Sequence, residues 1–162
     1  GNDLISDAAA TYAAGTFATL AGNTAADVLT GGAGNDQFGF GLGSTTVNFN
    51  TIKDLNLGTA AVAGQVDKLV FDVAAAPAVS IVSLSSAQQA TVTAAADLAA
   101  AADAALAVAN TAGNVVQFTY GTDTYLLVNG VTATATFTAG EDHLVKITGV
   151  VGTLDASDIA FI

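Results

Sequence analysis

The chain is predicted to be all-β: a short parallel β-roll continuing into a β-sandwich-like cap that carries one Ala-rich helix at about 86–109. Three observations support this. Gly31-Gly32-Ala33-Gly34-Asn35-Asp36-Gln37-Phe38-Gly39 matches every fixed position of the nonapeptide G-G-x-G-x-D-x-U-x, where U is a large apolar residue. After Gly39 the glycine period stops and short alternating apolar segments take over. A single Ala-dense stretch then interrupts those segments.

The first element is the roll, expected over residues 1–46. Upstream of the complete nonapeptide, Gly22-Asn23-Thr24-Ala25-Ala26-Asp27-Val28-Leu29-Thr30 keeps the first glycine, the aspartate and the apolar residue. Gly1-Asn2-Asp3-Leu4-Ile5-Ser6 matches the second half of the unit, so the chain begins inside a repeat and further repeats are expected before Gly1. Each unit is a loop followed by a short strand. Glycines let the loop curl through positive-φ conformations that turn carbonyls toward a cation, and aspartate adds a carboxylate. Stacking should bring Ile5, Leu29 and Phe38 into one apolar ladder and their aspartates into parallel rows that need a cation between them. The candidate calcium ligands are therefore Gly31, Gly32, Gly34 and Asp36, with Asp27 and Asp3 at the same position of weaker repeats. Between Asp7 and Ala21 the register is lost, an excursion from which Leu20 could rejoin the apolar ladder.

The second element is the cap, expected over residues 47–162 and continuous with the roll. Strands are expected at Val47 to Ile52, Val66 to Val73 and Val79 to Leu84. A capping box, Ser86-Ala87-Gln88-Gln89, opens one helix whose face is mostly alanine with Leu98 and Leu106, suited to close packing on a sheet. Further strands follow at Val115 to Tyr120, Thr124 to Asn129, Thr132 to Thr138, Leu144 to Thr148 and Ile159 to Ile162. Asn129-Gly130 reads as a tight hairpin turn.

Composition narrows the function. Of 162 residues, 14 are Asp or Glu and 3 are Lys or Arg, for a net charge of -11, which repels nucleic acid and anionic membranes. There is no cysteine and one histidine, so disulfide scaffolds, thiolate metal sites, cysteine nucleophiles and multi-histidine zinc centres are excluded. No H-E-x-x-H or G-x-S-x-G motif occurs, and an enzyme activity is not expected. No apolar run reaches the length of a membrane span, and no basic segment precedes an apolar one near Gly1, so an N-terminal signal peptide is not expected.

These residues resemble the C-terminal regions of RTX proteins exported by type I secretion systems of Gram-negative bacteria. The nonapeptide carries the resemblance most sharply. Thr51-Ile52-Lys53-Asp54-Leu55 and Asp67-Lys68-Leu69 are similar to the segment that follows the last repeat in that family, which implies additional metal-site candidates at Asp54 and Asp67. The close on Leu154-Asp155-Ala156-Ser157-Asp158-Ile159-Ala160-Phe161-Ile162 is similar to uncleaved C-terminal export signals. With abundant Ala, Thr and Gly, the composition is similar to the surface-layer branch of the family.

Several polar groups have a plainer reading. Glu141-Asp142-His143 reads as a turn between strands, since no nucleophile accompanies it. Asp155 and Asp158 read as a solvated terminal turn, Asp97 and Asp103 as a solvated helix stripe, and Phe118, Tyr120, Tyr125 and Phe137 as sheet core. The expected function is a calcium-dependent extracellular structural module of a surface layer, matrix or filament, with Ca2+ as its cofactor. Its expected partners are further copies of itself, a type I exporter and a cell-surface polysaccharide. The alternative is the non-catalytic secretion and folding domain of an RTX protease or lipase whose catalytic domain lies upstream.

Overall fold

The computed structural model describes residues 1, 3–6, 10–13, 16–22, 24–58, 65–73, 75, 77–130 and 134–162. Asn2 and Asn23 of the partial repeats lie outside them, as do Thr132 and Ala133 of the strand expected over 132–138. Most regular structure is strand: β1 (Leu4–Ser6), β2 (Ala10–Ala13), β3 (Thr16–Leu20), β4 (Val28–Leu29), β5 (Gln37–Phe40), β6 (Asn50–Ile52), β7 (Leu55–Leu57), β8 (Lys68–Phe71), β9 (Ser80–Val82), β10 (Asn114–Tyr120), β11 (Asp123–Val128), β12 (His143–Ile147), β13 (Val150–Gly152) and β14 (Ile159–Phe161). Two short helices, α1 (Ser86–Thr93) and α2 (Leu98–Leu106), follow β9.

Parallel pairing dominates and runs from the first strand to the last. β1, β5, β8 and β14 lie side by side in one sheet. β4, β6 and β12 form a second parallel set, and β7 with β13 a third. Parallel neighbours cannot be joined by a tight turn, so the chain travels through the other sets before it returns. Thus β6, β7 and β8 pass through the three sets in succession, and β12, β13 and β14 do so again.

Register aligns the apolar residues into rows. Ile5, Phe38, Leu69 and Ile159 share one, and Phe40, Phe71 and Phe161 share the next, with the first two rings stacked 5.2 Å apart. Leu29, Ile52 and Ile147 form a row in the second set, and all three rows meet in one core. Leu29 is therefore not in the ladder of Ile5 and Phe38. Adjacent nonapeptides carry the chain from one strand set to the next rather than round a full turn, so their apolar residues fall in different rows.

The excursion after β1 contains an antiparallel hairpin, β2 with β3. Phe17 and Leu20 pack with Leu4, Val70, Ala160 and Ile162 in a satellite cluster, so Leu20 stays outside the main ladder. Gly39 makes this docking possible. It alternates with Phe38 and Phe40, so it faces away from the core, and a Cβ there would lie 2.7 Å from Leu20 Cδ2 and 2.8 Å from Phe17 Cζ.

The second parallel set is extended by β11 and β10, antiparallel to β12 and to each other, and by β9, parallel to β10. The helices cover this extension: Val92, Ala101, Ala102, Ala105 and Leu106 pack with Val116, Phe118, Tyr125, Leu127 and Leu144. The single helix expected over 86–109 is broken before Asp97, whose extended backbone and Oδ1, accepting the Ala100 N–H at 2.8 Å, start a new helix. The capping box uses Ser85 and Gln88, one residue earlier than expected. Gln89 instead pairs with β10, donating to the Thr119 carbonyl at 2.8 Å and accepting the Thr119 N–H at 3.2 Å. Asp103 is not a solvated stripe either, because its Oδ1 accepts the Phe137 N–H at 2.8 Å.

Two more local expectations give way to tertiary structure. Residues 134–138 are not strand, and the strand expected from Val47 begins at Asn50, with Val47 81% exposed. Asn129-Gly130 is not a tight hairpin turn: β11 and β12 pair from Val128 opposite His143, with residues 129–142 between them. Asn129 is fully buried, and its Nδ2 donates to the carbonyls of Ala109 at 2.8 Å and Thr134 at 3.1 Å. Those bonds outweigh the turn preference of the dipeptide.

His143 is a core residue, tilted against Phe71 at 5.1 Å, with Nε2 2.8 Å from the Asp72 carbonyl. Burial lowers its pKa from the ordinary 6.5 to about 4, against the raising effect of the Asp72 carbonyl. The folded chain thus holds the ring neutral. Its contribution is complete above pH 6.5 and is lost as pH falls through about 4, because the unfolded chain takes the proton first. The difference between the parent and a His143→Gln variant in denaturant melts should therefore change by up to about 3 kcal/mol between pH 7 and 4. A pH-independent difference would contradict a buried neutral ring. Gly39→Val should lower stability by about 1–3 kcal/mol in the same melts by pushing the hairpin off its sheet. An unchanged midpoint would show that Phe17 and Leu20 do not pack there.

Candidate metal centre

Three of the expected site residues stand directly before strands of one sheet: Asp3 before β1, Asp36 before β5 and Asp67 before β8. The pairing of Leu4 with Gln37 and of Gln37 with Lys68 puts the three aspartates in one row. Asp3 is exposed, whereas Asp36 and Asp67 are 1% and 2% exposed. Within the row the Asp36 and Asp67 carboxylates each reach back one strand. Asp36 Oδ1 accepts the Asp3 N–H at 2.7 Å, and Asp67 Oδ1 accepts the Asp36 N–H at 2.9 Å. Beside them the ladder continues in the backbone, with Gln37 N–H donating to the Asp3 carbonyl and Lys68 N–H to the Asp36 carbonyl, both at 2.8 Å. Asp67 Oδ2 takes a second donor, the Asn56 N–H at 2.9 Å.

The remaining candidates sit elsewhere in the coil. Asp27 stands before β4 and lies opposite Asn50 of the second parallel set, whose Oδ1 accepts the Asp27 N–H at 2.8 Å. Asp27 thus belongs to a different row from Asp36. Asp54, directly before β7, lies under the glycine turn, with Oδ1 accepting the Gly31 N–H at 3.0 Å and Oδ2 the Gly32 N–H at 2.7 Å.

The turn itself is shaped around Asp36. A Cβ on Gly31 would lie 2.5 Å from Asp36 Oδ2 and 2.9 Å from its Cγ, so only glycine leaves room for the carboxylate. Gly32 and Gly34 have φ of 87° and 137°, the region that disfavours side chains. Asp36 Oδ2 is buried and has no hydrogen-bond partner among the described residues. Burial raises the Asp67 pKa above the usual carboxylate range, opposed by the Asn56 and Asp36 N–H groups, and the charges of Asp36 and Asp54 raise it further.

Among the described residues, no three His, Cys, Asp or Glu side chains gather closely enough to hold a metal ion by themselves. A cation at the turn would have to combine Asp36 with oxygens of another kind. Asp36 Oδ2 fits that role, because a buried carboxylate oxygen without a donor is stabilised by a hard cation, and carboxylate with carbonyl oxygens is the donor chemistry of Ca2+.

Two aspartates of the same construction carry no sequence motif. Asp142, directly before β12, accepts the Gly130 N–H at 2.8 Å and the Thr138 N–H at 2.7 Å. Asp158, directly before β14 and fully buried, accepts the Gly58 and Asp155 N–H groups, both at 2.8 Å, so it is not part of a solvated turn. Burial raises both pKa values, and in each case those N–H bonds oppose the shift. The available signal was position, an aspartate immediately ahead of an apolar strand, the place Asp36 holds in its nonapeptide.

Gly31→Ala should lower thermal stability by about 1–3 kcal/mol, because its Cβ would force the Asp36 carboxyl out of place. Parent-like melting would show that the turn does not close on Asp36. Comparison with family models, curated proteins and solved structures finds no match for this chain.

Proposed function

We propose that the chain is a calcium-dependent structural module that acts outside the cell, with Ca2+ held at the Gly31–Asp36 turn. The buried Oδ2 of Asp36, without a hydrogen-bond partner among the described residues, carries this reading. Glycines at 31, 32 and 34 shape the turn around the carboxylate, and Asp54 and Asp67 add negative charge nearby. A net charge of -11 with 3 cationic side chains leaves few protein partners for such a site. Millimolar extracellular calcium suits weak sites, on the order of 10⁻⁴ to 10⁻³ M. Binding to the folded state alone adds about 1.4 kcal/mol when free calcium is ten times Kd.

In a compartment poor in calcium the crowded carboxylates disfavour the closed turn, which suits passage through a type I exporter. Outside, calcium closes the turn and fixes the first strands of the coil. The parallel sheet then presents β1 and β14 as its two edges, and unpaired strand edges are surfaces through which further copies can join. In this reading the module contributes order to a surface layer, matrix or filament and performs no chemistry.

The test is a calcium titration of chelator-stripped protein, followed by circular dichroism and sedimentation velocity. Millimolar calcium should raise the thermal midpoint and produce larger assemblies together. Stabilisation of a lasting monomer would replace the assembly role with that of a secretion and folding appendage. No response in either signal would overturn the calcium reading.

A further inference from the structure

We infer that the two carboxylates bonded to backbone N–H groups of the turn, Asp54 and Asp67, are not cation ligands but positioning residues that hold the turn, leaving Asp36 as the ligand among these three. The inference rests on the calcium reading and divides its acidic residues into two kinds.

Each oxygen of Asp54 and Asp67 already has a donor. Asp54 holds the N–H groups of Gly31 and Gly32, and Asp67 those of Asp36 and Asn56, all between 2.7 and 3.0 Å. Turning either carboxylate toward a cation would leave a donor unsatisfied, and at Asp36 that donor belongs to a buried residue. Asp142 and Asp158 repeat the pattern far along the chain, each with its two oxygens on the N–H groups of two different residues. The two-donor aspartate is thus a recurrent device of this coil. Asp36 departs from it, with Oδ1 on the Asp3 N–H and Oδ2 on nothing described. Asn50 shows that the one-donor role does not need a carboxylate, since its amide oxygen accepts the Asp27 N–H in the same way. The charge at 36 is therefore in excess of what the ladder requires.

Three variants of the full chain, Asp36→Asn, Asp54→Asn and Asp67→Asn, separate the roles by calorimetric titration with calcium chloride and by thermal melts in chelator. Asp36→Asn should weaken calcium binding by at least about tenfold while melting near the parent in chelator. Asp54→Asn and Asp67→Asn should keep the calcium Kd within about threefold but melt roughly 5 °C lower in chelator, because the amide sets an NH2 donor against one of the two N–H groups that the separate carboxylate oxygens accept. If Asp54→Asn weakens calcium binding as much as Asp36→Asn and melts like the parent in chelator, Asp54 is a ligand and the inference is wrong. Should Asp67→Asn not fold, Asp54→Asn, on the partly exposed side of the turn, carries the test. If the parent takes up no calcium, the functional reading fails. The chelator melts then still decide whether Asp54 and Asp67 hold the turn, and parent-like melting of both would overturn that role.

Discussion

A carboxylate enters a protein interior only when donors or a cation meet its oxygens, and this coil is organised around that constraint. Aspartates stand immediately before strands of successive passes, where the backbone turns the corner and its N–H groups would otherwise lack partners. At Asp36, Asp67 and Asp54, as at Asn50, the side chain takes the N–H of the residue in register on the preceding pass. One set of bonds satisfies the corner amides and fixes the register. The apolar rows of Phe38 and Leu69 and of Phe40 and Phe71 then follow, since the rows share one pairing with the aspartates.

Glycine has a different task at each of two places. At Gly31 the missing side chain gives the Asp36 carboxylate its space, whereas at Gly39 it lets the β2–β3 hairpin settle on the outer face of the sheet. Between these positions the chain changes from an acidic, polar corner to an apolar strand. That sequence of loop, aspartate and strand is the nonapeptide in physical terms. Asp142 and Asp158 stand at corners of the same kind, where the donors are the N–H groups of Gly130 and Thr138 and of Gly58 and Asp155.

The mainly β character, the Gly31–Asp36 turn and the Ala-faced packing of the helical segment were legible in the sequence, since each depends on neighbours within a few residues. The row partners were not. Nothing local tells Leu29 that it lies beside Ile52 rather than Phe38, and pairing of Phe71 with Phe161 across the whole helix-bearing segment leaves no trace in the spacing of either. Asn129-Gly130 shows the opposite failure, a strong local preference overruled by hydrogen bonds from Asn129 to Ala109 and Thr134. Asp97 was hidden because alanine on both sides favours helix equally, so only the side-chain bond to Ala100 marks the break. The two-donor role of Asp54 and Asp67 was equally hidden, because donors such as Asn56 and Gly32 are brought in by the coil.

The proposed calcium site turns on one oxygen, Asp36 Oδ2. A crystal structure of the protein grown in calcium tests it most directly. An ion should appear at that oxygen, at roughly the 2.3–2.6 Å expected for calcium, with Asp54 and Asp67 still bonded to their N–H groups. A water or a protein donor on Oδ2, or an ion coordinated by Asp54 and Asp67 instead, would contradict it.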